Sequence, residues 1–304
     1  MLCVYLSNEK IKLIDGVYRG GKLSIKGVFS AISPNEFLDN DLSEATATNQ
    51  IMEVIASGIR EITPKGKKMI LVLDNSKIPF SEMKLPHIKP AKLLPLIKNE
   101  IFTDEKLSNS NTVDYVENER NIDPEKRSRM FVSYLSNDLL DELQEISKNL
   151  GYKLQVIDIA QNSLSKLMRM MNKIMPDNYM LMDYKETSVT LYLISNGKHL
   201  FSLSKPIIAV PSLKFQNERY YFINEMSGVL NNTVQFFKKR FVDVAFNAIY
   251  VTGEVEKFSV CAKAISDQIG FNVIVLQRPE NITGIEDSEF NIYANALGGL
   301  IRQR

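Results

Sequence analysis

The chain has 304 residues, of which 44% are hydrophobic and 24% charged, a composition typical of a water-soluble protein of about two domains. Its 37 Lys and Arg residues nearly balance its 36 Asp and Glu residues, so no net charge attracts nucleic acid or an anionic membrane surface. Its Cys and His residues lie far apart in the sequence, which argues against a metal cluster built from them. We therefore expect a globular protein that binds no nucleic acid and folds without metals or disulfides.

No targeting segment is recognisable at the start of the sequence. The opening residues carry no basic leader, and their apolar stretch is shorter than the core of a secretory signal. No run reaches the roughly 18 apolar residues of a membrane-spanning helix. These features predict a cytoplasmic protein without direct membrane insertion, in which Cys3 and Cys261 are buried free thiols.

The N-terminal region predicts a three-stranded meander followed by a helix. The strands are predicted over residues 2–6, 11–17 and 22–33. Gly20 and Gly21 suit the tight turn between the second and third strands. Apolar residues then recur at helical spacing over residues 49–62, and Pro64 ends that helix.

The residues after the meander predict a different order of strands and helices. The predicted elements are strands over 69–73 and 80–85, a helix over 90–102, strands over 112–117 and 130–135, and a helix over 137–150. Pro90 opens the first helix, and Asn137 and Gly151 are predicted to cap the second. We predict that residues 69–152 form an inserted α+β subdomain.

The strand and turn pattern of the N-terminal region recurs in the second half. Strands are predicted over 179–182, 188–194 and 198–208, followed by a helix over 218–241, a strand over 247–251, a helix over 255–269, a strand over 272–276 and a closing helix over 288–302. Asn196 and Gly197 form a hairpin turn, and Gly270 ends a helix. A meander that occurs twice predicts a duplicated two-domain α/β fold.

Several short sequence segments are also typical of a known protein family. They are Leu85-Pro86 before a helix that holds Glu100, Gly151 before residues 156–159, residues 249–253, and residues 294–302. In order and spacing they resemble the actin-like proteins of type IV pilus assembly, the PilM-like family, which is related to the bacterial cell-division protein FtsA. The resemblance covers the whole chain. It implies an actin-like (ribonuclease H-like duplicated) two-domain fold with an α+β subdomain inserted in the first half.

The resemblance also implies domain boundaries. The first actin-like domain would comprise residues 1–68, completed by 153–176 and 288–304, the inserted subdomain 69–152, and the second domain 177–287.

A function follows from the same resemblance. The chain is expected to be a non-catalytic cytoplasmic scaffold of the pilus assembly platform. It would bind the short cytoplasmic N-terminal tail of a PilN-like single-span protein and so lie at the inner face of the cytoplasmic membrane, with pilus motor ATPases as further partners. Two alternatives stay open: an active actin-like ATPase whose nucleotide state regulates pilus assembly, and a cell-division membrane tether. The tether is disfavoured because the chain ends at Arg304 directly after its closing helix, without a separate amphipathic anchor.

The resemblance points to candidate nucleotide-binding positions. In the family, the turn after the first strand of each half offers backbone amides to phosphates, and a nearby acid holds Mg²⁺. The matching residues are Ser7, Asn8 and Lys10 in the first turn, Asp183, Lys185 and Thr187 in the second, and Gly253.

These turns depart from the family pattern. Tyr5 replaces the first acid, and Ser7 and Lys185 replace the turn glycines. Glu9 and Glu186 add carboxylates, and one carboxylate about 5 Å from a phosphate costs about 3 kcal/mol at an effective dielectric of about 20. We therefore expect a degraded nucleotide cleft with no catalytic residues and no resident cofactor, with ATP and Mg²⁺ as the alternative.

The inserted subdomain supplies a candidate partner site. Its helix over 90–102 carries more apolar residues than one core-facing stripe needs, and a short tail requires a preformed apolar groove. The candidate residues are Leu85, Ile88, Leu93, Leu94, Ile97 and Ile101. We expect Leu93 or Ile97 to be exposed; the alternative is that all of these side chains pack inside the insert.

Overall fold

The computed structural model describes residues 1–34, 45–75, 77–120, 122–210 and 212–302. The strands within these residues are β1 (Leu2–Ser7), β2 (Lys10–Arg19), β3 (Lys22–Ile32), β4 (Lys68–Asp74), β5 (Phe80–Pro86), β6 (Asn111–Glu119), β7 (Arg127–Ser136), β8 (Lys153–Ile159), β9 (Asn178–Tyr184), β10 (Ser188–Ser195), β11 (Lys198–Pro206), β12 (Ala248–Gly253), β13 (Asn272–Val275) and β14 (Ile282–Thr283). The helices are α1 (Ala45–Ile62), α2 (Pro90–Ile101), α3 (Glu105–Asn109), α4 (Asn137–Asn149), α5 (Ala160–Met171), α6 (Gln216–Arg240), α7 (Glu256–Ile269), α8 (Asp287–Phe290) and α9 (Ala294–Leu300).

The N-terminal meander belongs to a six-stranded sheet with the strand order β14-β3-β2-β1-β4-β8. Strands β1 and β4 run parallel, with Leu2 opposite Met69 and Ser7 opposite Asp74. The buried side chains of β1, β2 and β4 pack against α1 and α4, where Leu143 lies fully inside the core. This parallel pairing brings the carboxyl ends of β1 and β4 to one edge of the sheet.

The stretch predicted as the inserted subdomain, residues 69–152, contributes to two sheets. Its own sheet has the order β5-β7-β6, and α2 covers one face of it. Strand β4, which lies in the same predicted stretch, belongs to the six-stranded sheet that also contains β8, and α4 packs in the core of that sheet. The predicted order of elements is confirmed, with the short α3 added inside the polar stretch 103–111. The separate sheet spans residues 80–136 because only these strands pair with one another.

The second half forms a five-stranded sheet with the order β11-β10-β9-β12-β13. Helices α6 and α7 cover it and bury Phe222, Phe237 and Phe258. Asn196 and Gly197 both have positive φ, 50° and 70°, as a two-residue hairpin turn of this kind requires. Gly270 ends α7 in the left-handed conformation, as predicted.

Two local predictions are wrong in detail. Ser136, not Asn137, caps α4, and its hydroxyl accepts a hydrogen bond from the backbone N–H of Leu139. The predicted closing helix is divided into α8 and α9 with Asn291 between them, and the Asn291 carbonyl accepts the N–H groups of both Gly253 and Ala294. The predicted turn at 74–76 includes Ser76, which lies outside the described residues.

The chain divides into two compact units. The first comprises Met1–Leu13 and Phe29–Ile157, and the second comprises Ile14–Val28 and Asp158–Arg304. This division passes through β2 and β3 and places residues 158–176 in the second unit, whereas the resemblance assigns them to the first domain. The predicted domain boundaries stay a prediction.

Further sequence expectations concern the cysteines, membrane-spanning helices and metal sites. Cys3 and Cys261 are buried and form no disulfide, and burial raises the pKa of the Cys261 thiol although Arg219 partly offsets this. In the part of the chain that the structure describes, no helix combines the length and apolarity needed to cross a bilayer. Over the same residues, no three His, Cys, Asp or Glu side chains are grouped so that they could hold a metal ion.

Candidate functional site

The first candidate turn, between β1 and β2, is closed by its own side chains. The Ser7 hydroxyl accepts a hydrogen bond from the Lys10 N–H at 3.0 Å and donates one to the Lys10 carbonyl at 2.9 Å. The Asn8 side-chain oxygen accepts from the Asn75 side-chain amide at 3.4 Å. The three predicted residues Ser7, Asn8 and Lys10 therefore lie together, and the Ser7 hydroxyl is used to hold the turn.

Tyr5 fills the place of the expected acid and is tied to a carboxylate from the neighbouring strand. Tyr5 is 3% exposed, and its hydroxyl donates a hydrogen bond to Asp74 Oδ2. Asp74 is also buried, at the end of β4 directly opposite Ser7. The sequence prediction missed Asp74; the signal that could have found it is its position at the carboxyl end of a buried strand parallel to β1.

The second candidate turn lies between β9 and β10; Asp183 is near the end of β9, and Lys185 and Thr187 lie in the connection to β10. Asp183 is 1% exposed, and its Oδ2 accepts a hydrogen bond from the Asn295 side-chain amide at 2.9 Å. The N–H of Lys185 donates to the Ser188 carbonyl at 2.9 Å, which closes the hairpin. The acid predicted for this turn is thus buried inside the second unit, where it holds the start of α9.

Gly253 packs against this same strand end. Its φ is +94°, and a Cβ added to it would lie 2.1 Å from the Tyr184 carbonyl oxygen and 2.9 Å from Asp183 Oδ1. The N–H of Glu254 donates to that Tyr184 carbonyl at 2.9 Å. Glycine is required here because the end of β12 must approach the backbone of β9 this closely.

The turn between β1 and β2 lacks the accessible acid and the glycine that a magnesium nucleotide site needs. An acid that holds Mg²⁺ through water needs an accessible carboxylate, whereas Tyr5 occupies that position and the nearby Asp74 is 8% exposed and bonded to the Tyr5 hydroxyl. Ser7 in place of glycine adds a side chain at the position where a phosphate would approach the backbone. The second turn retains its acid, Asp183, but has Lys185 in place of glycine.

The expectation that Leu93 or Ile97 is exposed is wrong. Leu93 is 3% exposed and Ile97 is fully buried, and both pack with Leu85 between α2 and the sheet of the insert. The other candidate residues pack partly buried against the same cluster; they are Ile88, Leu94 and Ile101. The helix carries a broad apolar surface because it covers a whole sheet face, so its extra apolar residues serve the core of the insert.

His87 lies at the strand-to-helix junction of the insert, beside Glu117 of β6. His87 Nδ1 is 3.2 Å from Glu117 Oε1, and Arg120 and Ser128 donate to the same carboxylate at 2.7 Å. Burial alone would raise the pKa of Glu117, but these hydrogen bonds outweigh burial and leave the pKa below its usual value. This cluster joins the start of α2 to the edge of the sheet.

The opposite face of the insert sheet carries charged and aromatic side chains that the sequence prediction missed. Arg129 donates to Glu82 at 3.0 Å and to Glu119 at 2.9 Å, and Phe80 stacks on Phe131 with ring centroids 5.0 Å apart. These side chains share one face because Glu82 lies opposite Phe131, and Lys84 opposite Arg129, in the β5–β7 register.

Two buried polar atoms on this face lack hydrogen-bond partners among the described residues. They are Glu82 Oε2 and Ser133 Oγ. A buried carboxylate oxygen is an acceptor that costs free energy when it is left unpaired. The arrangement suits a ligand that brings N–H donors to the β5 side of the sheet.

No protein-family model and no curated protein matches this sequence. Solved structures do match it. A chain of a structure described as the PilM-PilN type IV pilus biogenesis complex aligns with a TM-score of 0.80 and 13% identity, over 99% of this chain and 98% of that chain.

Two other structures are similar at lower scores. A Bacteroides thetaiotaomicron protein of unknown function with an actin-like ATPase fold aligns with a TM-score of 0.52 and 11% identity, over 90% of each chain. The cytoplasmic domain of EpsL, an inner membrane component of the type II secretion system of Vibrio cholerae, aligns with a TM-score of 0.50 and 8% identity, over 97% of this chain and 94% of that chain. The chain therefore has the actin-like fold that its repeated meander and inserted subdomain predict.

Proposed function

We propose that this protein is a cytoplasmic scaffold of a type IV pilus assembly platform. It binds the short N-terminal tail of a PilN-like single-span membrane protein and is held at the inner face of the cytoplasmic membrane through that partner. The observation that carries the proposal is the alignment with the PilM-PilN complex chain over nearly the whole of both chains, since it includes the inserted subdomain. Pilus motor ATPases are proposed as further partners.

The edge of the insert sheet is the proposed receptor for the tail. β5 pairs with β7 on one side and is an edge of the three-stranded sheet that the structure describes. An extended peptide can add to such an edge and satisfy its own backbone amides by strand pairing. This site replaces the exposed α2 surface expected from the sequence, because the apolar side chains of α2 are used in the core.

Glu82 gives this edge a specific acceptor. Its Oε1 is held by Arg129, whereas its buried Oε2 has no partner among the described residues. A side chain of a tail bound along β5, on the same face of the sheet as Glu82, would bring a hydrogen-bond donor to this oxygen. Hydrogen bonds to charged groups contribute about 1.5–3 kcal/mol, so this one contact changes affinity by about tenfold or more.

Glu82→Gln is expected to weaken binding of the partner's N-terminal peptide at least about tenfold, because the carboxylate acceptor becomes a neutral amide. Isothermal titration calorimetry with the synthetic tail peptide measures the change. Glu119→Gln is the matched control, since Glu119 also binds Arg129 but has no unpartnered buried oxygen within the described residues. Equal affinities of both variants and the unaltered protein would place the tail elsewhere.

The alternative function is an active actin-like ATPase. Asp183 favours it, because this acid of the second turn is retained. Tyr5, the self-closed Ser7 turn and the added carboxylates of Glu9 and Glu186 favour a protein that works without nucleotide. The scaffold is therefore the function we adopt.

Calorimetry with Mg·ATP is expected to show affinity weaker than micromolar, and no phosphate release is expected on prolonged incubation. A Glu9→Ser/Glu186→Ser double variant serves as the comparison, since removal of both carboxylates relieves repulsion with the phosphates. Submicromolar binding by the unaltered protein would favour the ATPase.

A further inference from the structure

Exposed basic side chains gather at one end of the first compact unit. Arg60 lies in the last turn of α1, and Lys148 lies in the last turn of α4. Lys68 and Lys153 begin β4 and β8, and residues 63–67 lead from α1 into β4. We call the following exposed residues the basic cluster: Arg60, Lys65, Lys67, Lys68, Lys148 and Lys153.

The starts of two strands and the ends of two helices bring the basic cluster together. β4 and β8 are neighbours in the six-stranded sheet, and the Lys153 N–H donates a hydrogen bond to the Lys67 carbonyl at 2.8 Å. The Lys67 ammonium lies over the Tyr152 ring, 5.0 Å from its centroid. The Tyr152 N–H donates to the Ser147 carbonyl at 2.9 Å, which places the end of α4 beside the same strands.

Acidic side chains do not balance the basic cluster. None of its side chains forms an ion pair with another residue that the structure describes. The acids nearest to it along the chain are Glu61 and Glu145, which are both exposed. The net charge of +1 for the whole chain therefore hides a local excess of positive charge. Repulsion between like charges raises the free energy of the folded chain, and a bound anionic surface would lower it.

Helix dipoles explain only part of the basic cluster. A cation is favourable in the last turn of a helix, which accounts for Arg60 and Lys148. The four lysines lie outside α1 and α4 apart from Lys148, in the connection 63–67 or at the start of a strand. Their position therefore needs another explanation.

The composition of the basic cluster favours an anionic lipid surface as its partner. All of its residues except Arg60 are lysines, whose flexible ammonium groups act as point charges, whereas nucleic-acid sites favour the planar fork of arginine. Tyr152 is 5% exposed and offers no ring on which a base could stack. Lysine is also depleted at protein–protein interfaces. Anionic leaflets, in contrast, attract clusters of about four to eight Lys or Arg residues.

We propose that the basic cluster contacts the anionic headgroups of the inner leaflet, without insertion, and so orients the protein at the membrane. This inference rests on the proposed function, which brings the protein to that leaflet through the partner's tail. The cluster is separate from the other candidate sites, because β4 extends about 20 Å from Lys68 to Asp74, after which the chain enters the insert. The tail and the basic cluster are therefore two distinct attachments.

The two attachments are expected to work together. A single weak membrane contact gives only marginal, reversible binding, and stable anchoring takes two signals. Salt weakens the contact further, since the Debye length is only about 8 Å at physiological ionic strength. The basic cluster alone is therefore not expected to keep the protein in the membrane fraction of cells.

Co-sedimentation of the purified protein with lipid vesicles at low ionic strength tests the inference. We expect binding to equimolar phosphatidylglycerol–phosphatidylcholine vesicles, none to phosphatidylcholine vesicles, and progressive loss as salt is added. Lys65→Glu/Lys68→Glu is expected to lower the partition coefficient at least about tenfold, and Lys65→Gln/Lys68→Gln by less. Lys89→Glu/Lys92→Glu reverses two exposed lysines of the insert and is the matched control, expected to bind like the unaltered protein.

Absence of binding to the anionic vesicles, or equal loss in the control variant, would overturn the proposal. Binding of a double-stranded DNA fragment in place of vesicles would overturn it as well. Circular dichroism melts verify that each variant stays folded. Calorimetry with the tail peptide on the same proteins separates the two proposals: unchanged peptide affinity with lost vesicle binding is expected for Lys65→Glu/Lys68→Glu, whereas vesicle binding without peptide binding would count against the pilus function alone.

Discussion

Gly253→Ala is expected to destabilise the second unit by about 3 kcal/mol or more. An alanine at φ +94° is strained, and its Cβ would lie 2.1 Å from the Tyr184 carbonyl oxygen, so β12 must move away from β9. This movement also breaks the hydrogen bond from the Glu254 N–H to that carbonyl. Urea-induced unfolding followed by circular dichroism measures the loss.

Gly270→Ala is the control for this prediction. Gly270 also has a positive φ, 70°, but an added Cβ there would meet nothing within 4 Å. Gly270→Ala is therefore expected to lower the free energy of unfolding by about 1 kcal/mol, through backbone strain alone. Equal destabilisation by both substitutions would mean that the contact of Gly253 with Tyr184 contributes nothing.

Ile97→Asp is expected to unfold the inserted subdomain. Ile97 is fully buried in the apolar cluster between α2 and the sheet, so the substitution removes an apolar side chain and places a carboxylate among apolar side chains. The cavity and the buried polar group together are expected to lower the free energy of unfolding by about 4 kcal/mol or more. Hydrogen exchange resolved along the chain would show amides of residues 80–136 losing protection first.

Asn99→Asp adds the same carboxylate on the exposed side of α2 and is expected to leave stability nearly unchanged. Because Ile97→Asp disrupts the receptor itself, loss of tail binding in that variant reports on folding and not on direct contact. An Ile97→Asp protein as stable as the Asn99→Asp protein would contradict the burial of this side chain.

The repeated meanders were predictable because their signals are local. Turn glycines and Asn196 at positive φ mark where strands reverse, and alternating apolar residues mark the strands between them. The element order of the insert followed from the same kind of local signal, with helix-ending Gly151 at φ 76°. These features depend on neighbours in sequence, so a single sequence reveals them.

The side-chain arrangement was not predictable because it depends on distant pairs. Tyr5 and Asp74 are 69 residues apart, and Asp183 and Asn295 are 112 residues apart. Which apolar residues of α2 face inward depends on how much of the sheet the helix covers, and periodicity alone does not give that area. The buried face of Leu93 and Ile97 was therefore mistaken for a surface.

Membrane recruitment tests the scaffold function most directly. The protein is expressed in cells with and without its single-span partner, and in cells whose partner lacks its cytoplasmic N-terminal tail, and membrane and soluble fractions are compared. We expect the protein in the membrane fraction only when the partner carries its tail. Membrane association without the partner, or with the tailless partner, would contradict the proposal that this actin-like protein binds that tail.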